Sequence, residues 1–212
     1  LTDALIDLGN EIIIVDNFST GKEENLKFPV ETRLSTAGKH GASLQIHKKD
    51  IRENLTDIFT NHKIDGVFHL AANPQVQYSI QEPIESHDIN VNGMLNILDN
   101  CRKFNVKRLV FASSSAIYGA QTEMPLRETM PPRPISPYAV HKLIGEYYCS
   151  LYREIYNLET VSLRFFNVFG PRQNPNGAYA SLIPKFLRKL QNNESPIVNG
   201  NGEQTRDFVY VG

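Results

Sequence analysis

Tyr138 and Lys142 stand four residues apart in Ser136-Pro-Tyr-Ala-Val-His-Lys142, and a Ser-rich stretch, Ser113-Ser-Ser-Ala-Ile-Tyr-Gly119, precedes them. On a helix that spacing puts the phenol and the ammonium on one face, a turn apart. A free tyrosine, with a pKa of about 10, is no base at neutral pH. A neighbouring ammonium and the positive end of a helix dipole both favour the phenolate, and a downward shift of ~3 units takes about 4 kcal/mol. Ser114, at the end of a strand, is placed to hydrogen-bond the same substrate hydroxyl. The chemistry expected is proton transfer at an alcohol, with Ser114, Tyr138 and Lys142 as the catalytic set. The plainer alternative makes Tyr118 and Tyr138 core aromatics with solvated hydroxyls.

Three other positions fit a bound dinucleotide. Asp16 ends the apolar run Glu11-Ile-Ile-Ile-Val-Asp16 and opens into Asn17-Phe-Ser-Thr-Gly21. A carboxylate there accepts the ribose hydroxyls of adenosine and repels a 2′-phosphate; taken alone it reads more simply as an Asp that starts a turn. Asp50-Ile51 closes another strand where a carboxylate meets an adenine amino group, or is simply solvated. Leu70-Ala71-Ala72 ends a third strand with small residues that let a ring approach the backbone, or that only pack tightly.

The elements that must position these groups alternate in type. Strands are predicted at 11–16, 44–47, 66–70, 108–112 and 160–165, and helices at 85–103, from Pro137 through Ile155, and at 182–190. Residues 119–137 hold five of the twelve prolines and form a stiff loop. Ser136 and Pro137 supply the N-cap and first position of the helix that follows. Strands apolar throughout, alternating with helices, mean a parallel sheet covered on both faces, with ligands at the carboxyl ends of its strands. The fold class expected is therefore α/β, a Rossmann-like doubly wound parallel sheet over 1–170, followed by the start of a small substrate-binding lobe over 171–212.

The chain opens on a helical pattern, Leu1, Ala4, Leu5 and Leu8, and the Gly-rich turn expected about 20 residues before Asp16 would precede Leu1. An internal fragment is expected, lacking the first strand and the Gly-rich loop. The 22 Lys+Arg against 23 Asp+Glu are scattered, which leaves no footprint for nucleic acid. No apolar run approaches the roughly 20 residues of a membrane span, and a soluble, cytoplasmic protein is expected. The six histidines show no metal spacing, so no metal site is expected, and His141 reads as a helix-surface residue. Cys101 and Cys149 read as buried thiols.

Joined in this order, the motifs resemble the extended short-chain dehydrogenase/reductase family, and within it the nucleotide-sugar epimerases of the UDP-glucose 4-epimerase group. The resemblance is carried by Val15 to Gly21, His69 to Ala72, Asn90-Val-Asn-Gly93, Ser113 to Gly119, Ser136 to Lys142, Arg164 to Gln173 and Gly202 to Val211. It implies NAD as cofactor. Asp16, Asn17, Phe18, Ser19, Thr20, Gly21, Asp50 and Ile51 would hold adenosine. Leu70, Ala71, Ala72 and Phe166 would border the nicotinamide, with Asn90, Tyr138 and Lys142 completing the cofactor site. Asn167 and Arg206 would hold a UDP-sugar, with Ser114 and Tyr138 at its reacting carbon and Leu182, Ile197, Val198 and Asn199 around the nucleotide. The implied reaction is 4-epimerisation of a UDP-hexose through a 4-keto sugar, and the implied assembly a homodimer through helices 85–103 and 137–156. The rivals are a 4,6-dehydratase or decarboxylase of the same family and a non-catalytic NAD-binding scaffold. Dehydratases place acidic residues directly after the catalytic Ser/Thr, where this chain has Ser115 and Ala116.

Overall fold

The structure, a computed structural model, describes residues 1–26, 43–174, 182–198 and 200–212. Asn199 therefore lies outside the described residues. The elements run α1 (Thr2–Asp7), β1 (Ile12–Val15), β2 (Leu44–His47), α2 (Thr56–Asn61), β3 (Gly66–His69), α3 (Val76–Gln81), α4 (Pro83–His87), α5 (Gly93–Lys103), β4 (Arg108–Ser114), α6 (Pro137–Tyr156), β5 (Glu159–Phe165), β6 (Asn167–Phe169), α7 (Leu182–Gln191) and β7 (Phe208–Tyr210). All strand pairs are parallel: β1 with β2, β3 with β4 with β5, and β6 with β7. This is the Rossmann-like α/β arrangement that the alternating elements imply.

The alternation along β4 shows how the core is built. Leu109, Phe111 and Ser113 are buried, while Arg108, Val110, Ala112 and Ser114 are more open. The register sets Leu109 beside Thr160, Phe111 beside Ser162 and Ser113 beside Arg164, so one face of the sheet turns as a unit toward the helices. Leu109 and Phe111 pack there with Met94, Leu98 and Cys101 of α5 and Cys149 of α6. Ile13 and Val15 of β1 lean on the same cluster, which places β1 and β3 over one core although no ladder joins them. Burial pushes the Cys101 thiol up to about 12 and Cys149 up to about 11, so both behave as packing groups.

The helix predicted over 85–103 is three consecutive pieces. Pro83 opens α4 as its first residue, a π-helical segment occupies Asp88–Asn92, and α5 follows without a break. Helix α3 has no clear signal in the sequence: Val76-Gln-Tyr-Ser-Ile-Gln is six residues with no capping side chain, and its stability is tertiary. His141 is not the helix-surface residue that its sequence context suggests. The ring is buried, lies within hydrogen-bond range of Ser86 Oγ (3.4 Å to Nδ1), and meets the His87 ring edge-on at 5.2 Å between centroids.

Candidate active site

Helix α6 begins as its sequence dictates. Ser136 Oγ accepts the Ala139 N–H at 3.2 Å, and Pro137 takes the first helical position, where no N–H is needed. The next free N–H, that of Tyr138, donates to Ser79 Oγ of α3 at 3.0 Å. A buried hydroxyl 59 residues away thus finishes the cap and holds the Tyr138 backbone.

Tyr138, Lys142 and Glu146 follow one another turn by turn on the face of α6 that meets the end of β4. Gly145 lets the helix approach: a Cβ there would stand 2.5 Å from the Phe111 ring. Lys142 Nζ donates to the Ala112 carbonyl at 2.7 Å and lies 4.9 Å from the Phe111 ring centroid and 5.9 Å from that of Tyr138. Ser114 Oγ accepts the Ala116 N–H at 3.1 Å, capping the 3₁₀ turn Ser115–Tyr118, and its side chain faces Tyr138 closely enough to favour the phenolate. The predicted Ser–Tyr–Lys set is brought together. Gly119 follows with φ +62, and a Cβ would sit 1.7 Å from the Arg133 carbonyl oxygen, so only glycine lets the proline loop close over the turn.

The acidity of Tyr138 departs from the sequence-based expectation, in which the Lys142 ammonium and the helix dipole make the phenol more acidic. Burial instead pushes its pKa above the usual tyrosine value, and the hydrogen bond from Ser114 is the one opposing influence. The physical reason is the direction of Lys142, whose Nζ is committed to the Ala112 carbonyl, and its own desolvation, which pulls it down to about 8.

His69, at the end of β3, stacks at 5.9 Å on Phe111 and is fully buried, which with the nearby Lys142 charge presses its pKa down to about 3. Burial and His87 press His141 to about 4. Both rings are neutral in the native state and charge first in the unfolded chain, so stability falls as pH drops from about 6.5 toward 3–4. Each ring adds up to about 1.4 kcal/mol per pH unit to that slope. Denaturant midpoints between pH 7 and 4 check this: His69→Phe should flatten the slope, and an unchanged slope counts against it.

The adenosine-side residues gather at the carboxyl ends of β1 and β2. Asp16 Oδ1 accepts the Phe18 N–H at 2.7 Å, which aims the carboxylate across a turn with Phe18 at φ +56. A Cβ on Gly21 would come within 2.8 Å of that carboxylate. Asn17 Oδ1 accepts the Ser19 N–H at 3.0 Å, which brings Ser19 and then Thr20 round the same turn. Asn17 Nδ2 donates to Asp50 at 2.9 Å, which joins the two strand ends. Asp50 is held well below the usual carboxylate range, chiefly by the Arg52 side chain, whose Nη1 also bonds Asp88 at 2.8 Å. Ile51 is buried in the core behind it. Leu70, Ala71 and Ala72 line the end of β3, with Leu70 exposed, and Phe166 follows β5. Asn90, within the π-helical segment, accepts the Asn73 N–H at 2.8 Å and donates to its carbonyl at 3.0 Å; it shapes the loop after β3 with both ends of its amide.

The pairing of β6 with β7 sets Asn167 opposite Phe208, and Asn167 Nδ2 donates to the Asp207 carbonyl at 2.8 Å, one residue from Arg206. Arg206 and Leu182, Ile197 and Val198 are exposed. Sequence reasoning missed Ser79, Glu146 and Arg164, whose roles depend on contacts between distant segments. Among the described residues, no group of His, Cys, Asp or Glu could hold a metal ion.

The whole chain, residues 1–212, matches the model of the NAD dependent epimerase/dehydratase family, and the chain belongs to that family. It is 32% identical over 213 residues to the UDP-glucose 4-epimerase of Mycolicibacterium smegmatis, covering all of this chain and 65% of that one. Among solved structures it is similar to the UDP-N-acetylglucosamine 4-epimerase of Methanobrevibacter ruminantium in complex with UDP-N-acetylmuramic acid (43% identity, TM-score 0.89, 99% of this chain and 64% of that one). It is likewise similar to Thermus thermophilus UDP-glucose 4-epimerase in complex with NAD (35% identity, TM-score 0.85, 100% and 66%). The chain spans 61–65% of the length of the first curated relatives it matches.

Proposed function

We propose that this protein catalyses NAD-dependent 4-epimerisation of a UDP-hexose, glucose/galactose or their N-acetyl forms. The observation that carries the reading is the meeting of Ser114, Tyr138 and Lys142 at the carboxyl end of β4. The residues present fit a dinucleotide. Asp16, oriented by the Phe18 N–H and crowded by Gly21, would take the adenosine ribose, with Asn17 to Thr20 and Asp50-Ile51 around the adenine. Leu70 to Ala72 and Phe166 would border the nicotinamide, and Lys142 its ribose. Asn90 supports that pocket through Asn73.

The chemistry a bound nicotinamide supplies is reversible hydride acceptance from C4 of the sugar, together with a positive charge beside Tyr138. Tyr138 as phenolate removes the proton of the C4 hydroxyl, and Ser114 holds that oxygen in line. Asn167, at the start of β6, and Arg206, just before β7, keep the UDP in place while the 4-keto sugar turns over and presents its other face. We assign residues 171–212 to the start of this nucleotide-sugar lobe. Elimination chemistry would need a further acid and base beside Ser114, and Ser115 and Ala116 offer none. The exposed Val140, Tyr147, Leu151 and Ile155 form one stripe along α6, which supports a homodimer through helices 85–103 and 137–156. Among the described residues no helix is long and apolar enough to cross a membrane.

The test is incubation with UDP-galactose, UDP-glucose and their N-acetyl forms, each deuterated at C4. Interconversion of the C4 epimers with the label retained is expected. Release of a 4-keto-6-deoxy sugar would overturn the reading in favour of a dehydratase, and the absence of any turnover would overturn the enzyme assignment.

A further inference from the structure

Glu146 lies one turn beyond Lys142 on the face of α6 that carries Tyr138, yet nothing in proton transfer at the sugar requires it. Its carboxylate is fastened at both oxygens. Ser113 Oγ donates to Oε1 at 2.5 Å, Arg164 Nε donates to Oε1 at 3.0 Å, and Arg164 Nη2 donates to Oε2 at 2.9 Å. The side chains of Glu146 and Arg164 are 14% and 19% exposed, so the pair is partly desolvated and held in the two-point geometry of a guanidinium fork. Arg164 stands on β5 directly opposite Ser113 of β4, and one side-chain cluster therefore ties α6, β4 and β5.

The same guanidinium also reaches the turn and the loop that follow β4. Its carbon lies 4.8 Å from the Tyr118 ring centroid, and Nη1 donates to the Glu128 carbonyl at 3.4 Å in the proline loop. That loop is anchored by the Arg133 N–H to the Ile117 carbonyl at 2.9 Å, by Gln121 Nε2 to the Tyr118 and Pro131 carbonyls at 3.1 and 3.0 Å, and by this contact to Arg164. The helix, the strand end and the loop around the proposed reaction site are thus all attached to Glu146 or to the arginine that holds it.

We propose that Glu146 is a positioning residue: by binding the Ser113 hydroxyl while clamped by Arg164, it fixes the sliding register of α6 on the end of β4 and so sets the approach of Tyr138 to Ser114. A helix rises 1.5 Å and a strand 3.3 Å per residue, so contacts at several heights are needed to lock one against the other. Gly145 meets only the tip of the Phe111 ring and has no side chain of its own to key into it, so this contact sets the height weakly. Lys142 on the Ala112 carbonyl is a single bond on a flexible stem. The carboxylate of Glu146, held at both oxygens, is the stiff contact, and Ser113 is covalently next to Ser114. Partly buried ion pairs of this kind add little net stability over apolar packing, but fixing register is a role they serve well.

This inference rests on the epimerase reading for its activity arm, so a second readout is independent of turnover. The variants are Glu146→Ala and Glu146→Gln, which retains an acceptor for Ser113, together with Ser113→Ala, which deletes one oxygen and keeps the ion pair should Glu146→Ala fail to fold. Turnover per folded protein should fall about 30-fold in Glu146→Ala and about 10-fold in Ser113→Ala, with KM for the UDP-sugar within twofold. Glu146→Gln should recover most of the loss, and the Glu146→Ala/Ser113→Ala double variant should be no worse than Glu146→Ala alone, because the two act as one unit. Independently, 3-fluorotyrosine at position 138, its ¹⁹F resonance assigned by its absence in Tyr138→Phe, is titrated in each protein. Loss of the Ser114 contact should move its midpoint up by about half a pH unit. Unchanged titration in Ser113→Ala and Glu146→Ala overturns the positioning role, whatever the activity. A parent inactive on every UDP-hexose overturns the epimerase reading alone, and the titration then decides this one.

Discussion

Replacing Tyr138 by phenylalanine is expected to reduce epimerisation of a UDP-hexose by about 10³-fold, with cofactor and nucleotide affinity kept within a few-fold. Phenylalanine preserves the buried ring and removes only the hydroxyl that faces Ser114. The Tyr138 backbone remains fixed by Ser79 Oγ at 3.0 Å, and the ring still packs where it does now, so the thermal midpoint should change by only a few degrees. What disappears is the group that receives the C4 proton; a solvated hydroxyl of the sugar loses its proton far less readily to water. Burial holds the phenol above its ordinary pKa, and turnover of the parent should accordingly rise with pH toward the point at which Tyr138 ionises in the presence of the cofactor charge. In Tyr138→Phe that rise should be absent. Steady-state rates between pH 6 and 10, with bound cofactor quantified in each protein, are the measurement. A phenylalanine variant within tenfold of the parent and with the same pH dependence would assign the base to another group.

The parts of this site that are legible in the amino-acid sequence are those in which chemistry and spacing are local. Ser136 and Pro137 announce the start of α6, and the four-residue step from Tyr138 to Lys142 places them on one face of it. The strands β1 to β5 stand out because each is a short apolar run bounded by turn residues, and their alternation with helices leaves a parallel sheet as the economical arrangement. What stays hidden is non-local. Helix α3 is a poor helix on its own account, and it exists against α6, where Ser79 meets the Tyr138 N–H. Arg164, in a strand, has the look of a solvated charge until β5 is laid beside β4 and Glu146 is found above Ser113. The π-helical turn at Asp88–Asn92 is invisible to a periodicity count, since one widened turn displaces the apolar positions by a single residue within a longer helix. The state of Tyr138 depends on where one flexible ammonium points, and spacing along a helix leaves that open.

The same ammonium yields the second large effect, in which activity and stability move in opposite directions. Lys142 is buried, its Nζ donates to the Ala112 carbonyl at 2.7 Å, and among the described residues no carboxylate forms a salt bridge with it. Desolvation alone accounts for its fall to about 8. An unfolded lysine titrates near 10.4, so between about pH 8 and 10.4 the unfolded chain binds more protons than the native one, and the native state gains stability as pH rises through that window. Below pH 8 both states carry the proton, and the native state bears the whole cost of the buried charge, on the order of 3 kcal/mol. Lys142→Met keeps the length of the stem against Phe111 and removes the charge. It should therefore melt at a higher temperature than the parent at pH 7, with most of the difference gone by about pH 10. Turnover should go the other way. The variant loses the group proposed to hold the nicotinamide ribose beside Tyr138, and kcat/KM should drop about 10²- to 10³-fold. Paired melting curves and rates at pH 7 and 10 decide it. A methionine variant that is both less stable at pH 7 and fully active would mean that the ammonium stabilises the native chain through contacts other than these, and that the proposed catalytic set reduces to Ser114 and Tyr138.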